Sequence, residues 1–192
     1  MALEIEAKIK VPDLAAVRGK LEAAGAARIG KELETNGFFD TPDRSLQSSD
    51  KGLRIRTTVD ESGKSRCTVT MKGPRQKAQF KMREETEFSA DDSGAVRKML
   101  ENLGYQLTLS FEKRRETWAF SGCEVALDEL PYLGTYVEIE GKSASDVTAA
   151  RDVSAARDKL GLADLPLISI GYVSILARYL EQHQINDRQI RF

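Results

Sequence analysis

The chain has 192 residues, with 29 Lys and Arg against 30 Asp and Glu, and 41% of it is hydrophobic. That length suits one domain with a sizeable core, and the near-neutral balance argues against nucleic acid as the main partner, which asks for a basic surface. No run of about 18 apolar residues offers a membrane span, the acidic start lacks the apolar stretch of a signal peptide, and Cys67 and Cys123, without zinc-type spacing, read as buried free thiols of a cytoplasmic protein.

The first element is a strand at about 3–10. Glu4, Glu6, Lys8 and Lys10 share one face of it, opposite Leu3, Ile5 and Ile9, because residues two apart in a strand point the same way. A helix at about 13–25 follows. Strands are then expected near 34–41, 52–59 and 66–72, divided by the turn signals Thr41-Pro42-Asp43 and Asp60-Glu61-Ser62-Gly63. Glu32 and Glu34 form another alternating pair that only leads into the first of these strands. Arg54 and Arg56 alternate with Leu53 and Ile55, and Thr68, Thr70 and Lys72 with Cys67, Val69 and Met71.

The second half repeats this order. A strand at about 81–89 carries Glu85 and Glu87, a helix follows at about 92–104, and strands are expected near 107–120, 122–128 and 134–141. On them Lys113 pairs with Arg115, Glu124 shares a face with Asp128, and Glu138 pairs with Glu140. Helices at about 145–161 and 168–183 close the chain. The lone His183, near the end of the last helix, reads as incidental, which removes the commonest general base. The two halves also share a motif: Ala-Val-Arg-x-x-Leu-Glu-x-x-Gly occurs at 16–25 and again at 95–104, an internal repeat of an amphipathic helix ended by glycine.

Eight strands suffice to close a barrel and so remove exposed edges. The apolar stripes of the helices need a surface to cover, and the apolar strand faces are the one available. The expected fold is therefore α+β: an eight-stranded antiparallel barrel, helices packed outside, and the charged faces lining a tunnel. One domain spans 1–192, with barrel strands over about 3–141 and C-terminal helices over about 145–183. So many ionisable groups inside a barrel cost stability through desolvation. A wet lumen that tolerates them is a ligand site, and strands that are wholly basic or wholly acidic suit a ligand both anionic and metal-bound.

Glu4-Ile5-Glu6-Ala7-Lys8 resembles the Glu-x-Glu-x-Lys signature that opens CYTH domains, the triphosphate tunnel metalloenzymes. The resemblance continues through Phe39-Asp40-Thr41-Pro42, Leu53-Arg54-Ile55-Arg56, Met71-Lys72-Gly73-Pro74, Arg83-Glu84-Glu85-Thr86-Glu87, Glu112-Lys113-Arg114-Arg115, Leu127-Asp128-Glu129-Leu130 and Leu133 to Glu140, over about 3–180. That family includes class IV adenylyl cyclases, thiamine triphosphatases and tripolyphosphatases. The resemblance implies a tunnel barrel and Mg²⁺ or Mn²⁺ held by Glu4, Glu6, Glu138 and Glu140, with Asp128 nearby; hard cations of this kind prefer carboxylate oxygens. It implies triphosphate binding by Arg54, Arg56, Lys72, Arg83, Lys113 and Arg115, and places Lys8, Lys113 and Arg115 at the reacting groups, Lys8 as a phosphate ligand or as a group that orients the nucleophile. Arginine's planar fork matches phosphate oxygens.

Trp118 has the opposite parity from Lys113 and Arg115 and is expected to face the helices. Lys72, Arg75, Lys77, Lys81 and Arg83 form a basic stretch around a loop, either solvated or a lid over phosphates. Gly30 and Gly63 have no phosphate-loop context. The partner expected is a small-molecule triphosphate, with no nucleic acid and no membrane. The layout of the second half, with Ser169-Ile170-Gly171-Tyr172-Val173-Ser174-Ile175-Leu176 resembling a Ser-x-Tyr-x-x-Leu-Leu tail in shifted form, leans to the class IV cyclase branch. The alternatives are a triphosphatase acting on tripolyphosphate, thiamine triphosphate or a nucleoside triphosphate, and a non-catalytic triphosphate-binding module.

Overall fold

The computed structural model describes the backbone of residues 2–76, 81–143 and 145–192, and the side chains of 5–75, 83–143 and 145–192. In chain order the elements are β1 (Ala2–Val11), α1 (Leu14–Ala23), β2 (Ala27–Asp40), α2 (Ser45–Ser48), β3 (Gly52–Asp60), β4 (Ser65–Gln76), β5 (Lys81–Ala90), α3 (Ser93–Asn102), β6 (Gln106–Phe120), β7 (Cys123–Leu130), β8 (Gly134–Gly141), α4 (Asp146–Lys159), α5 (Tyr172–Gln182) and β9 (Gln189–Ile190). Strands β1 to β8 are antiparallel to both neighbours in the cycle β1–β5–β4–β3–β2–β6–β7–β8–β1, so the sheet closes on itself. Only β9, two residues long, adds a parallel pairing, to β6.

The internal repeat appears in the helix ends. Asp13 caps α1 by accepting a bond from the Ala15 amide at 2.8 Å, and Asp92 caps α3 by accepting from the Gly94 and Ala95 amides. Such caps satisfy backbone donors that a helix leaves open at its start. Beyond the other ends, Gly25 and Gly104 take φ of +70° and +89°, a conformation that costs glycine little.

The outer apolar face is covered unevenly. Val17 and Leu21 of α1 and Ala149, Val153 and Ala156 of α4 pack on Ile5, Ala7, Ile9, Val125, Leu127, Val137 and Ile139 of β1, β7 and β8. Trp118 joins this core as its parity requires, and its indole N–H donates to Glu116 at 2.9 Å. Helix α4 lies so close to β8 that a Cβ on Gly141 would stand 2.8 Å from Ala149, which is why that position takes glycine. On the opposite wall α3 supplies Leu100 against Ile55, Cys67 and Phe39. Helix α5 lies across one end of the barrel. Its Tyr172, Leu176 and Leu180 cluster with Leu109, Phe111, Leu130 and Tyr136 of β6, β7 and β8, which share strand faces with Lys113, Asp128 and Glu138.

Three boundaries differ from expectation. α5 begins at Tyr172, not near 168, because Leu167 and Ile168 are held along β1 by a bridge to Ile9 and a bond to the Lys8 carbonyl. β2 begins at Ala27, not near 34, its alternation being interrupted at Gly30 and Lys31. Pairing along β6, from Ala27↔Ala119 to Asp40↔Gln106, holds it in the sheet; context sets strand formation more than propensity does. β4 continues to Gln76 through a register shift between Lys72 and Arg75. That irregularity accommodates Pro74, which has no N–H for a regular ladder. Lys72 and Arg75 thus belong to β4, and Lys81 and Arg83 to β5. Residues 77–80, with the lid expectation that falls on them, lie outside the described residues, as does the Lys81 side chain.

Candidate functional site

Strand parity turns the alternating charged residues inward, and the closed cycle brings them together. Lys113 and Arg115 of β6 stand between β2 and β7. Arg115 makes a two-pronged contact with Asp128, at 2.7 and 2.6 Å, and also reaches Glu138. Lys113 lies 3.1 Å from Glu34 and 3.4 Å from Asp128. Lys8 contacts Glu138 at 3.1 Å and Glu6 at 3.4 Å, and donates to the Ile170 carbonyl at 3.3 Å. Six of the sequence-derived candidates, Lys8, Lys113, Arg115, Glu6, Asp128 and Glu138, therefore form one continuous network.

Arg56 joins it through Glu34 at 3.4 Å and Asn36 at 3.1 Å. Arg54, one step along β3, donates to the Thr70 hydroxyl at 3.0 Å, which in turn donates to Glu87 at 2.8 Å. Lys72 is bonded to Glu85 on the neighbouring strand. Glu140 is half-buried and meets Lys142 at 2.8 Å. Arg83 is turned to backbone instead, donating to the Gly73 carbonyl at 2.8 Å and to the Asp50 carbonyl at 2.7 Å. Glu4 pairs with Arg83 in the β1–β5 ladder, and its side chain lies outside the described set.

Glu34 is central, although in the sequence the alternating pair Glu32 and Glu34 reads as only leading into its strand and not as part of the site. Its side chain has no solvent exposure and lies among Lys113, Arg56 and Arg115. Burial works to raise its pKa, but those cations, with Arg54, outweigh burial and hold the carboxyl far below the usual carboxylate range. The pattern Glu32-x-Glu34-x-Asn36 would have marked it, had the strand been taken to start earlier.

The same electrostatics mark the cations. Burial and the neighbouring Arg56 lower the pKa of Arg54 to about 10, an unusual value for a guanidinium. Its Nε is buried without a hydrogen-bond partner among the described residues. Burial and Arg115 also push Lys113 down. For Arg115 burial opposes the charge, but Asp128, Glu34 and Glu138 overcome it and keep the group protonated. Arg54 thus carries a buried positive charge, met by Glu87 only at 3.8 Å, and an Nε donor with no partner among the described residues. Both are what an anionic ligand would satisfy.

The carboxylates fit a small divalent cation by their chemistry. Glu6 pairs with Glu140, and Lys8 with Glu138, across the β1–β8 ladder, so Glu6, Glu138 and Glu140 come from adjacent inward positions. No three acidic or other ligating side chains among the described residues converge into a complete cage. A cation that keeps several waters and takes substrate oxygens needs no such cage. Asp128 is otherwise engaged, accepting from Arg115, Lys113 and the Tyr172 phenol, the last at 2.9 Å. Glu138 and Glu6 hold Lys8, so a cation entering there would compete with that ammonium.

The CYTH domain pattern matches residues 2–169. A Methanocaldococcus jannaschii protein provisionally named adenylate cyclase is 33% identical over 145 residues, 76% of this chain and 79% of its own length. Adenylate cyclase CyaB of Aeromonas hydrophila is 31% identical over 137 residues, 71% of this chain and 67% of its own. Among solved structures, a Pyrococcus horikoshii protein superposes with a TM-score of 0.79 at 24% identity, covering 92% of this chain and 99% of that one. A Hippeastrum adenylyl cyclase candidate, reported with dominant triphosphatase activity, gives 0.69 at 19% identity over 93% and 96%. At these identities the structural likenesses speak to the fold. No helix among the described residues is long and apolar enough to cross a membrane.

Proposed function

We propose, because this chain belongs to the CYTH domain family, whose members are divalent-metal-dependent adenylate cyclases or triphosphatases, that it binds a triphosphate inside the barrel and converts ATP to cyclic AMP and pyrophosphate. The observation that carries this is the state of Arg54: buried, depressed in pKa, and holding an unused Nε–H beside Arg56. Stability alone gives no reason to keep such a group, whereas a polyanion supplies an acceptor for its Nε and a closer counter-charge than Glu87 at 3.8 Å. The two relatives above 30% identity, both named as adenylate cyclases, favour the cyclase branch.

In this assignment Arg54, Arg56, Lys72, Lys113 and Arg115 receive the phosphate oxygens, each inward-facing from β3, β4 or β6. Arg83, anchored to carbonyls of Gly73 and Asp50, contributes at the edge of this set. Glu6, Glu138 and Glu140, together with Glu4, would hold Mg²⁺ or Mn²⁺, and Asp128 serves mainly as the acceptor that orients Arg115. A divalent cation bound there neutralises charge on phosphate oxygens. Ring closure forms a bond from the 3′-oxygen to the α-phosphorus and breaks the bond from that phosphorus to the bridging oxygen. The proton of the 3′-hydroxyl leaves, and pyrophosphate departs. Lys8, fixed between Glu6 and Glu138, orients the phosphate or the attacking group. Arg115 and Lys113 stabilise the charge that grows on the leaving pyrophosphate.

The Hippeastrum neighbour motivates a second assignment, in which water attacks the terminal phosphorus. Chromatography of an ATP reaction with Mg²⁺ or Mn²⁺, run beside one with tripolyphosphate, separates the two. Cyclic AMP and pyrophosphate are the expected products. ADP and phosphate alone, or rapid tripolyphosphate cleavage with inert ATP, would replace the cyclase assignment by the hydrolase.

A further inference from the structure

The segment entering α5 reaches into the charged network. It runs first along β1: Leu167 bridges to Ile9, and the Ile168 amide donates to the Lys8 carbonyl at 2.9 Å. The Ile170 carbonyl then accepts from the Lys8 ammonium at 3.3 Å. Tyr172, the first residue of α5, is buried beneath the barrel end. Its phenol donates to Asp128 at 2.9 Å. Its ring lies 4.2 Å below the Lys8 ammonium and 5.6 Å from that of Lys113, within the range at which a ring face attracts a cation. Tyr136 meets the same ring edge-on, at 5.1 Å and 76°.

Burial and the charges of Asp128 and Glu138 push the Tyr172 phenol well above its ordinary pKa. It therefore stays protonated and acts as a donor. This donor is shared by the carboxylate that also orients Arg115, and its ring seats both lysines. One side chain thus touches three groups of the network, while its edge-on contact with Tyr136 joins Leu176 and Leu180 in anchoring α5.

We propose that Tyr172 is a positioning residue for triphosphate binding: its phenol shares Asp128 with Arg115 and Lys113, and its ring seats Lys8 and Lys113, fixing the positions from which these cations meet a ligand. With the hydroxyl gone, Asp128 draws Lys113 and Arg115 more strongly, and less of their charge is available to a ligand. The proposal rests on the assignment of a triphosphate to the barrel interior.

Calorimetric titration of the full chain with tripolyphosphate, without divalent metal, tests it in three proteins. Tyr172→Phe keeps the ring and removes only the donor, and is expected to weaken binding on the order of ten-fold, the scale of one hydrogen bond to a charged group. Leu176→Ala loosens the same helix without touching the network; it is expected to lower the melting temperature more than Tyr172→Phe yet leave tripolyphosphate affinity within about two-fold of the unsubstituted chain. Equal affinity of Tyr172→Phe and the unsubstituted chain would overturn the proposal. So would a loss in Leu176→Ala as large as that in Tyr172→Phe, since the effect would then belong to the helix as a whole. No binding by the unsubstituted chain would remove the triphosphate assignment itself, and the proposal with it.

Discussion

The wall made by β1, β8, β7 and β6 and the wall made by β2, β3, β4 and β5 face each other across one lumen, yet they are built differently. The first is covered by α1 and α4, and Ile9, Val125, Val137 and Ile139 on its outer face are fully buried. The second has a small cluster under α3 and leaves Ile29, Leu33, Val59 and Phe88 exposed. The heavily covered wall carries Glu6, Glu138 and Glu140, the carboxylates proposed to hold a divalent cation, together with Lys8, Lys113 and Arg115. The thinly covered wall carries Arg54, Arg56 and Lys72, long side chains that follow a flexible polyanion. In the proposed assignment the carboxylates sit on the covered wall, and the phosphate-binding cations are shared between it, through Lys113 and Arg115, and the thinly covered one.

Substitution on the outer faces should expose the contrast most strongly. Ile139→Ala opens a cavity in the packed wall and is expected to cost about 2–5 kcal/mol. Val59→Ala, at a position 40% exposed, should stay within about 0.5 kcal/mol. Urea unfolding of both variants checks this, and similar costs at the two sites would erase the distinction between the walls.

Glu34 joins the two walls by tying Arg56 of β3 to Lys113 and Arg115 of β6. Glu34→Gln removes the counter-charge of a fully buried cluster and is expected to destabilise by about 3 kcal/mol. The same change frees cationic charge for a ligand, so tripolyphosphate should raise the melting temperature of the variant by more than it raises that of the unsubstituted chain. Thermal melts with and without tripolyphosphate measure both effects; a variant equally stable and equally responsive would place Glu34 outside the site.

The depressed pKa of Glu34 also fixes the sign of a pH effect. A carboxyl lowered in the folded state stabilises it above the unfolded value, and that contribution is lost as pH falls towards the folded one. Loss should begin below the ordinary value of 4.5 and continue through strongly acidic pH. Urea midpoints from pH 7 down to pH 3 should therefore fall more steeply in the unsubstituted chain than in Glu34→Gln. The smallest change is expected at the thin wall's exposed helix: losing the Arg97–Glu101 pair, 2.8 Å apart one turn along α3, should cost about 0.3–0.5 kcal/mol in Arg97→Ala by the same urea method.

Period-two alternation makes much of the charged interior legible in the sequence, because Arg54 and Arg56, and Glu138 and Glu140, each sit within an apolar alternation that shows which face turns out. The repeated helix motif likewise announces the twin caps at Asp13 and Asp92. What alternation cannot reveal lies where tertiary pairing decides. In residues 27–33 the alternation of Ala27, Ile29 and Leu33 is interrupted at Gly30 and Lys31, so the start of β2 follows from its pairing along β6, the same pairing that sets Glu34 opposite Lys113. Tyr172 looks like one more apolar residue of an amphipathic helix; only the closure of the barrel end brings its phenol to Asp128. Arg83 shares the parity of Glu85 and Glu87, but the irregularity at Gly73 and Pro74 offers it carbonyls.

We propose above all that Arg54, Arg56 and Lys72 of one wall, with Lys113 and Arg115 of the other, form a receptor for a chain of phosphates. Calorimetric titration of the protein with tripolyphosphate and, separately, with orthophosphate at low and high salt tests it most directly. Several cations acting together should make tripolyphosphate bind tighter by roughly a hundredfold or more, from charge-assisted bonds of about 1.5–3 kcal/mol each. That affinity should fall as salt rises, and Arg54→Gln should weaken it. Equal affinity for the two anions, or tripolyphosphate binding indifferent to both salt and Arg54→Gln, would contradict the account.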